Sequence, residues 1–205
     1  MKRFLVVFGF LLVLPASVFA ASPTLGSVSP SNAAISTNSY INFTAEYNDA
    51  DGWTNIKTAY IHVNVSTNKI NSFEAYYNRA TNKLYLRNDA NTSWGTGYAP
   101  GTTRILENSY VRVDCSQTSV SGNGRKMIIR WAVSFKDTFL GAKNIYLYVQ
   151  DAGGSKAGWT KKGVCTITEP GTIIGPEGGE VFSSDGKTKL IIPEGAMSAA
   201  RGFEI

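Results

Sequence analysis

Apolar and polar residues alternate along most of this chain with the period of two that a half-buried strand requires. In the stretch that begins at Lys126, the residues Met127, Ile129, Trp131, Val133 and Phe135 share one face. Lys126, Arg130, Ser134 and Lys136 lie on the other. After the connection KDTFLGAK the pattern returns, with Ile145, Leu147 and Val149 on one side and Asn144, Tyr146, Tyr148 and Gln150 on the other. These read as two neighbouring buried strands. Upstream, Tyr40 to Tyr47 sets Ile41, Phe43, Ala45 and Tyr47 against Asn42, Thr44 and Glu46. Lys57 to Val65 likewise sets Ala59, Ile61, Val63 and Val65 against Thr58, Tyr60, His62 and Asn64. A hairpin follows whose register can be written down. With Arg79 to Asn82 as its loop, Tyr76 faces Tyr85 and Glu74 faces Arg87 as an ion pair, while Ala75 faces Leu86 and Tyr77 faces Leu84. Further strands are expected at Tyr110 to Cys115 and Gly163 to Ile167. No stretch sustains a helical period. The pattern predicts an all-β chain, an immunoglobulin-like sandwich of roughly seven to nine strands over residues 39–169.

Punctuation divides the rest. Residues 22–38, rich in Pro, Ser, Thr and Asn, read as a linker and edge strand. After Thr168 the sequence EPGTIIGPEGG marks a boundary, and residues 170–205 carry a fresh strand, turn and strand, too short to build a core alone. Residues 1–21 have a basic start, an apolar run and small residues at Ser17, Ala20 and Ala21, the pattern of a secretory signal peptide cleaved near Ala20. Cleavage removes Lys2 and Arg3 and lowers the formal charge from +5 to +3. The remaining cations are scattered, which argues against nucleic acid, and the mature chain has no expected membrane span. Charged residues make up only 17% of the chain, and Asn, Ser, Thr and Gly take their place, as suits an extracellular surface.

The succession YNDADGW, NKLYLRNDANTSWGTG, SGNGRKMIIRWAVSFKDTFLGAKNIYLYVQDAGG and GW resembles an Ig-like module near the front of many secreted bacterial proteins, over about residues 23–167. The resemblance implies fold and export, with no assigned catalysis. The tail GGEVFSSDGKTKLIIPEGAM is similar to the opening of a ZU-five domain, which implies an incomplete second β domain and a longer parent chain.

Candidate chemistry is sparse. Asn48-Asp49-Ala50-Asp51-Gly52 fails the EF-hand pattern, because with Gly52 sixth the first and twelfth positions are Tyr47 and Thr58. In a sandwich, however, the loops carrying Asp49, Asp51 and Asp151 share one end, so the three could hold calcium or simply cap their own turns. Tyr60, Tyr76, Tyr85, Tyr146 and Tyr148, with His62, take the outward register of one sheet and form a candidate face for a glycan or protein, or else ordinary cross-strand packing. Cys115 and Cys165 fall in inward registers; export would let them form the one disulfide possible, the alternative being two separate buried thiols. Trp53, Trp94, Trp131 and Trp159 read as core or loop anchors. Gly186-Lys187-Thr188 lacks the earlier glycine of a phosphate loop, Val181 standing there. No acid, base and nucleophile set can be assembled, and no cofactor other than calcium is suggested. The expectation is a non-catalytic structural, display or adhesion module of a secreted or cell-surface bacterial protein, with neighbouring domains of its own chain as partners. The rival is an accessory carbohydrate-binding domain of an exported hydrolase.

Overall fold

The structure, a computed structural model, describes residues 21–183, 185–198 and 201–203. The expected signal peptide lies almost wholly outside the described residues. In chain order the first strands are β1 (Thr24–Ser29), β2 (Asn32–Ser36), β3 (Tyr40–Asn48), β4 (Ile56–Asn64), β5 (Phe73–Asn78) and β6 (Lys83–Leu86). Then come β7 (Ile105–Glu107), β8 (Val111–Asp114), β9 (Ser119–Asn123), β10 (Lys126–Phe135), β11 (Gly141–Asp151) and β12 (Lys156–Thr168). The tail adds β13 (Thr172–Ile174), β14 (Gly179–Phe182), β15 (Lys189–Ile192) and β16 (Arg201–Phe203).

Twelve of these strands form a sandwich of two six-stranded sheets. The first has the order β1-β3-β10-β8-β7, with β9 also on β10, and the second the order β2-β12-β11-β4-β5-β6. Every pairing is antiparallel except that of β2 with β12. The runs β12-β11-β4-β5-β6 and β1-β3-β10-β8 follow the strand order of a variable-type immunoglobulin sandwich. The strand count exceeds the expected range because short edge strands arise in segments that look like linker or turn. Residues 22–38 supply one edge to each sheet, β1 and β2.

Inward registers fill the space between the sheets as the alternation requires. Phe43, Ala45 and Tyr47 of β3 and Met127, Ile129, Trp131, Val133 and Phe135 of β10 are fully buried. They pack against Ala59, Ile61 and Val63 of β4, Phe73 and Ala75 of β5, and Ile145, Leu147 and Val149 of β11. The Tyr47 hydroxyl, buried from the first sheet, donates to the Tyr60 carbonyl of the second at 2.9 Å, so its polar atom is satisfied across the core. The β5–β6 hairpin has the expected register, with Tyr76 opposite Tyr85 and Tyr77 opposite Leu84. Its turn closes at Asn82, which holds φ at 50° and whose Oδ1 accepts from the Tyr77 hydroxyl.

One expectation about β10 and β11 is corrected. They are not sheet neighbours: β10 pairs with β3, β8 and β9, and β11 with β12 and β4. The connection holds a short 3₁₀ turn, Asp137–Phe139, whose Phe139 is buried and stacks on Phe135 at 5.4 Å. Anchored there, the chain crosses the end of the core to the opposite sheet instead of turning back on itself.

The tail forms two two-stranded sheets, β13 with β16 and β14 with β15. They gather a separate small cluster of Ile174, Val181 and Ile192 with Met197 and Phe203. Phe182 and Ile191 on the opposite face stay more than half exposed, at 55% and 59%.

Candidate functional site: an aromatic face on the second sheet

Pairing in the second sheet aligns the outward tyrosines into a row that crosses four strands. Tyr148 of β11 faces Tyr60 of β4, Tyr60 faces Tyr76 of β5, and Tyr76 faces Tyr85 of β6. The rings of Tyr60, Tyr76 and Tyr85 stack in sequence at 4.9 and 4.8 Å, and Tyr148 meets Tyr60 edge-on at 5.2 Å. One step along the strands runs a second row: Tyr146 faces His62, His62 faces Glu74, and the Arg87 N–H donates to the Glu74 carbonyl. All five tyrosines singled out from the sequence therefore share one face.

Two tryptophans complete it, and both arrive through irregular backbone. In the β11–β12 ladder Leu147 pairs with Thr160 and Val149 with Ala157, so Gly158 and Trp159 together oppose the single residue Tyr148. Such a bulge re-aims a side chain. It brings Trp159 within 5.4 Å of Tyr148 and 5.9 Å of Tyr60. Trp94 comes from the Gly-rich loop after β6. There Asn88 Oδ1 accepts the N–H groups of Thr92 and Ser93, and Gly95 donates to the Leu86 carbonyl, folding the loop back on the sheet edge. Trp94 then meets Tyr76 edge-on at 4.5 Å.

Between the rows opens a cleft of about 300 Å³, lined by Tyr60, Tyr148, Trp94, Trp159, Lys69, Glu74 and Arg87. Its volume is at the small end of the range for ligand sites. Glu74 lies at its base, fully buried, with Oε1 accepting from the Lys69 ammonium at 3.0 Å and Oε2 without a partner. Lys69 also lies 4.9 Å from the Trp159 ring, and Arg87 stands 4.7 Å from that of Trp94. The Glu74–Arg87 ion pair expected from the hairpin does not form. Arg87 turns instead to Asn91, donating to its side-chain and backbone oxygens at 2.6 and 3.1 Å, and Lys69 takes its place.

His62 keeps the outward register but is covered by this layer, packed 5.5 Å from the Trp159 ring and fully buried. Its Nε2 lies 3.0 Å from the Ser66 carbonyl and so carries the proton, which leaves Nδ1 a bare acceptor 4.0 Å from Glu74 Oε2. Burial pushes His62 down to about 4 and raises Glu74 above the usual carboxylate range. Desolvation also pushes Tyr76 up to about 12 and raises Tyr60, so both phenols keep their protons and can donate.

Of the two readings of Asp49, Asp51 and Asp151, calcium ligation or turn capping, the hydrogen bonds fit the second. The loops carrying Asp49, Asp51 and Asp151 do share one end of the sandwich, since Asn55 donates to Asp49 Oδ2 and its carbonyl accepts from Ala152. The carboxylates accept from backbone N–H groups, two of them nearby in the chain. Asp49 Oδ1 accepts from the Asp51 N–H, Asp51 Oδ2 from the Ala21 N–H, and Asp151 Oδ1 from the Ser155 N–H. Among the described residues no three His, Cys, Asp or Glu side chains are placed to hold a metal ion.

The disulfide is corrected as well, for Cys115 and Cys165 are both free and buried. Cys115 follows β8, near the β7 side of the first sheet, and Cys165 lies on β12, near the β2 side of the second. Because β1 packs over β12 and β7 over β6, at least two strand spacings separate them laterally, about 10 Å, beyond the roughly 7 Å reach of a disulfide. Burial raises both thiols to about 11, which makes them unreactive.

Among the described residues no helix is long and apolar enough to cross a membrane. No family model matches the chain, so neither the Ig-like nor the ZU-five resemblance gains support there. No curated protein matches it in sequence. Among solved structures it is similar to the major pilin subunit BcpA of Bacillus cereus, at 8% identity and a TM-score of 0.31. That match covers 87% of this chain and 52% of the pilin subunit, so the chain spans about half of its length.

Proposed function

We propose that this chain is a non-catalytic adhesion or display module of a secreted or cell-surface bacterial protein, and that the aromatic face of the second sheet is its contact surface. One observation carries the reading: the row Tyr148, Tyr60, Tyr76 and Tyr85, flanked by Trp159 and Trp94, occupies outward positions that the core does not use. Half-buried tyrosine and tryptophan offer apolar area together with hydroxyl and indole donors, the mixture on which recognition surfaces rely. The signal-peptide pattern of residues 1–21 supports export. The cleft favours a second reading, an accessory carbohydrate-binding domain of an exported hydrolase.

An array carrying both glycans and extracellular matrix proteins tests the contact surface. Capture should be lost in the Tyr76→Ala, Tyr148→Ala double variant and kept in a Thr44→Ala, Arg130→Ala control on the first sheet. Capture undiminished by the tyrosine changes would sink the reading.

A further inference from the structure

We infer that the cleft beneath Trp94 and Trp159 binds a neutral saccharide through two adjacent hydroxyl groups. This rests on the reading of that face as a contact surface and specifies its ligand. The base of the cleft holds a buried carboxylate, Glu74, with one oxygen, Oε2, that no protein donor reaches. A buried acceptor of this kind requires a donor. Beside it His62 presents a second bare acceptor, Nδ1, which cannot supply one.

The ligand's charge follows from what surrounds that oxygen. An ammonium ligand would meet two cations already in place, Lys69 over Trp159 and Arg87 over Trp94. An anionic ligand would bring its charge against Glu74. A hydroxyl donates without either penalty. Lys69, 31% exposed at its side chain, stands 3.0 Å from Glu74 Oε1 and can turn aside while keeping its own donors available. A carboxylate next to an ammonium matches a vicinal diol: one hydroxyl donates to Glu74 and its neighbour accepts from Lys69 or Arg87. The walls suit the rest of a sugar ring. Tyr148 and Trp159 supply half-buried aromatic surface for its C–H face, while the small volume admits a terminal residue.

Tryptophan fluorescence and saturation-transfer NMR on the intact chain test the assignment. The probes are neutral gluco-, manno- and galacto-oligosaccharides, oligogalacturonate, and choline. At least one neutral series should bind, with Glu74→Gln and Trp159→Ala each weakening it by roughly tenfold or more. Thermal melts show whether each variant stays folded, and Arg87→Met, at the rim, gives a second reading if Glu74→Gln does not. Binding confined to choline or oligogalacturonate, neutral binding indifferent to these changes, or no saccharide binding overturns the proposal. If saccharides fail while capture of a matrix protein still depends on Tyr76 and Tyr148, the ligand class is wrong and the contact face stands. If neither depends on them, both fall.

Discussion

The two sheets present solvent with faces of opposite character, although their strands share one alternation. On the first sheet the outward cross-strand partners are Thr44 with Arg130, Glu46 with Ile128, and Asn48 with Lys126. They are mostly short or charged, and Glu46 and Lys126 pair at 2.7 Å in the open. On the second sheet the equivalent positions hold Tyr148, Tyr60, Tyr76 and Tyr85. Folding asks only that the inner face of each strand be apolar. Aromatic rings on the outer face are therefore surplus to the core. That surplus lies on the same sheet as the bulge at Gly158 and Trp159 and the loop that folds Trp94 back. The inner registers explain why the chain folds; the difference between the outer registers indicates where it makes contact.

Substitution should cost most in the core. Trp131→Ala removes a fully buried ring and should cost about 3–5 kcal/mol, read from urea or thermal melts. Tyr148→Ala on the outer face should cost far less. Equal losses would mean that the aromatic face is core in disguise.

The next effect is pH dependence. Folded His62 titrates at about 4 against its ordinary 6.5, so between these values the unfolded chain binds a proton that the folded chain refuses. Stability should rise with pH through that window and be lost as pH falls from 6.5 toward 4, by roughly 3 kcal/mol at most. Glu74, raised by burial, works oppositely: the folded chain holds its proton longer, so stability falls as pH rises from its unfolded value through its raised one. Lys69, Tyr146 and Trp159 also face this pair, and Lys69 opposes a charge on His62. His62→Gln should flatten the acid limb of a melting-temperature profile against pH; an unchanged limb would remove His62 as its source.

Smaller still is the surface pair of the first sheet. Lys126 holds Glu46 below the usual carboxylate range, so its contribution is present above the unfolded value and lost as pH falls through the lowered one. Lys126 is exposed and Glu46 partly so, and Glu46→Gln should cost under about 1 kcal/mol, less at high salt. The smallest expected effect is none: a reductant should leave the melting temperature unchanged, because no disulfide links Cys115 and Cys165.

Local periodicity made much of this legible. The inward sets of β3, β10 and β11, the hairpin register from Ala75 to Leu86, and the shared face of Tyr60, Tyr76, Tyr85, Tyr146 and Tyr148 all follow from alternation and turn length. What escaped was non-local. Trp159 reaches the face through an extra residue in a ladder, and a bulge leaves no mark in a period-two pattern beyond a glycine such as Gly158. Trp94 depends on a loop held by Asn88, and Glu74 takes Lys69 from a different loop in preference to its cross-strand neighbour Arg87. The assignment of β10 and β11 to opposite sheets rests on Phe139 anchoring their connection, which the strands themselves do not encode.

The central claim is that contact is made by the outer face of the second sheet. Backbone amide shifts recorded during titration with the neutral oligosaccharide that binds most strongly test it most directly. Shifts should concentrate at Tyr60, Glu74, Trp94, Tyr148 and Trp159, with Thr44, Glu46 and Arg130 silent. Shifts centred on the first sheet at saturating ligand would contradict it.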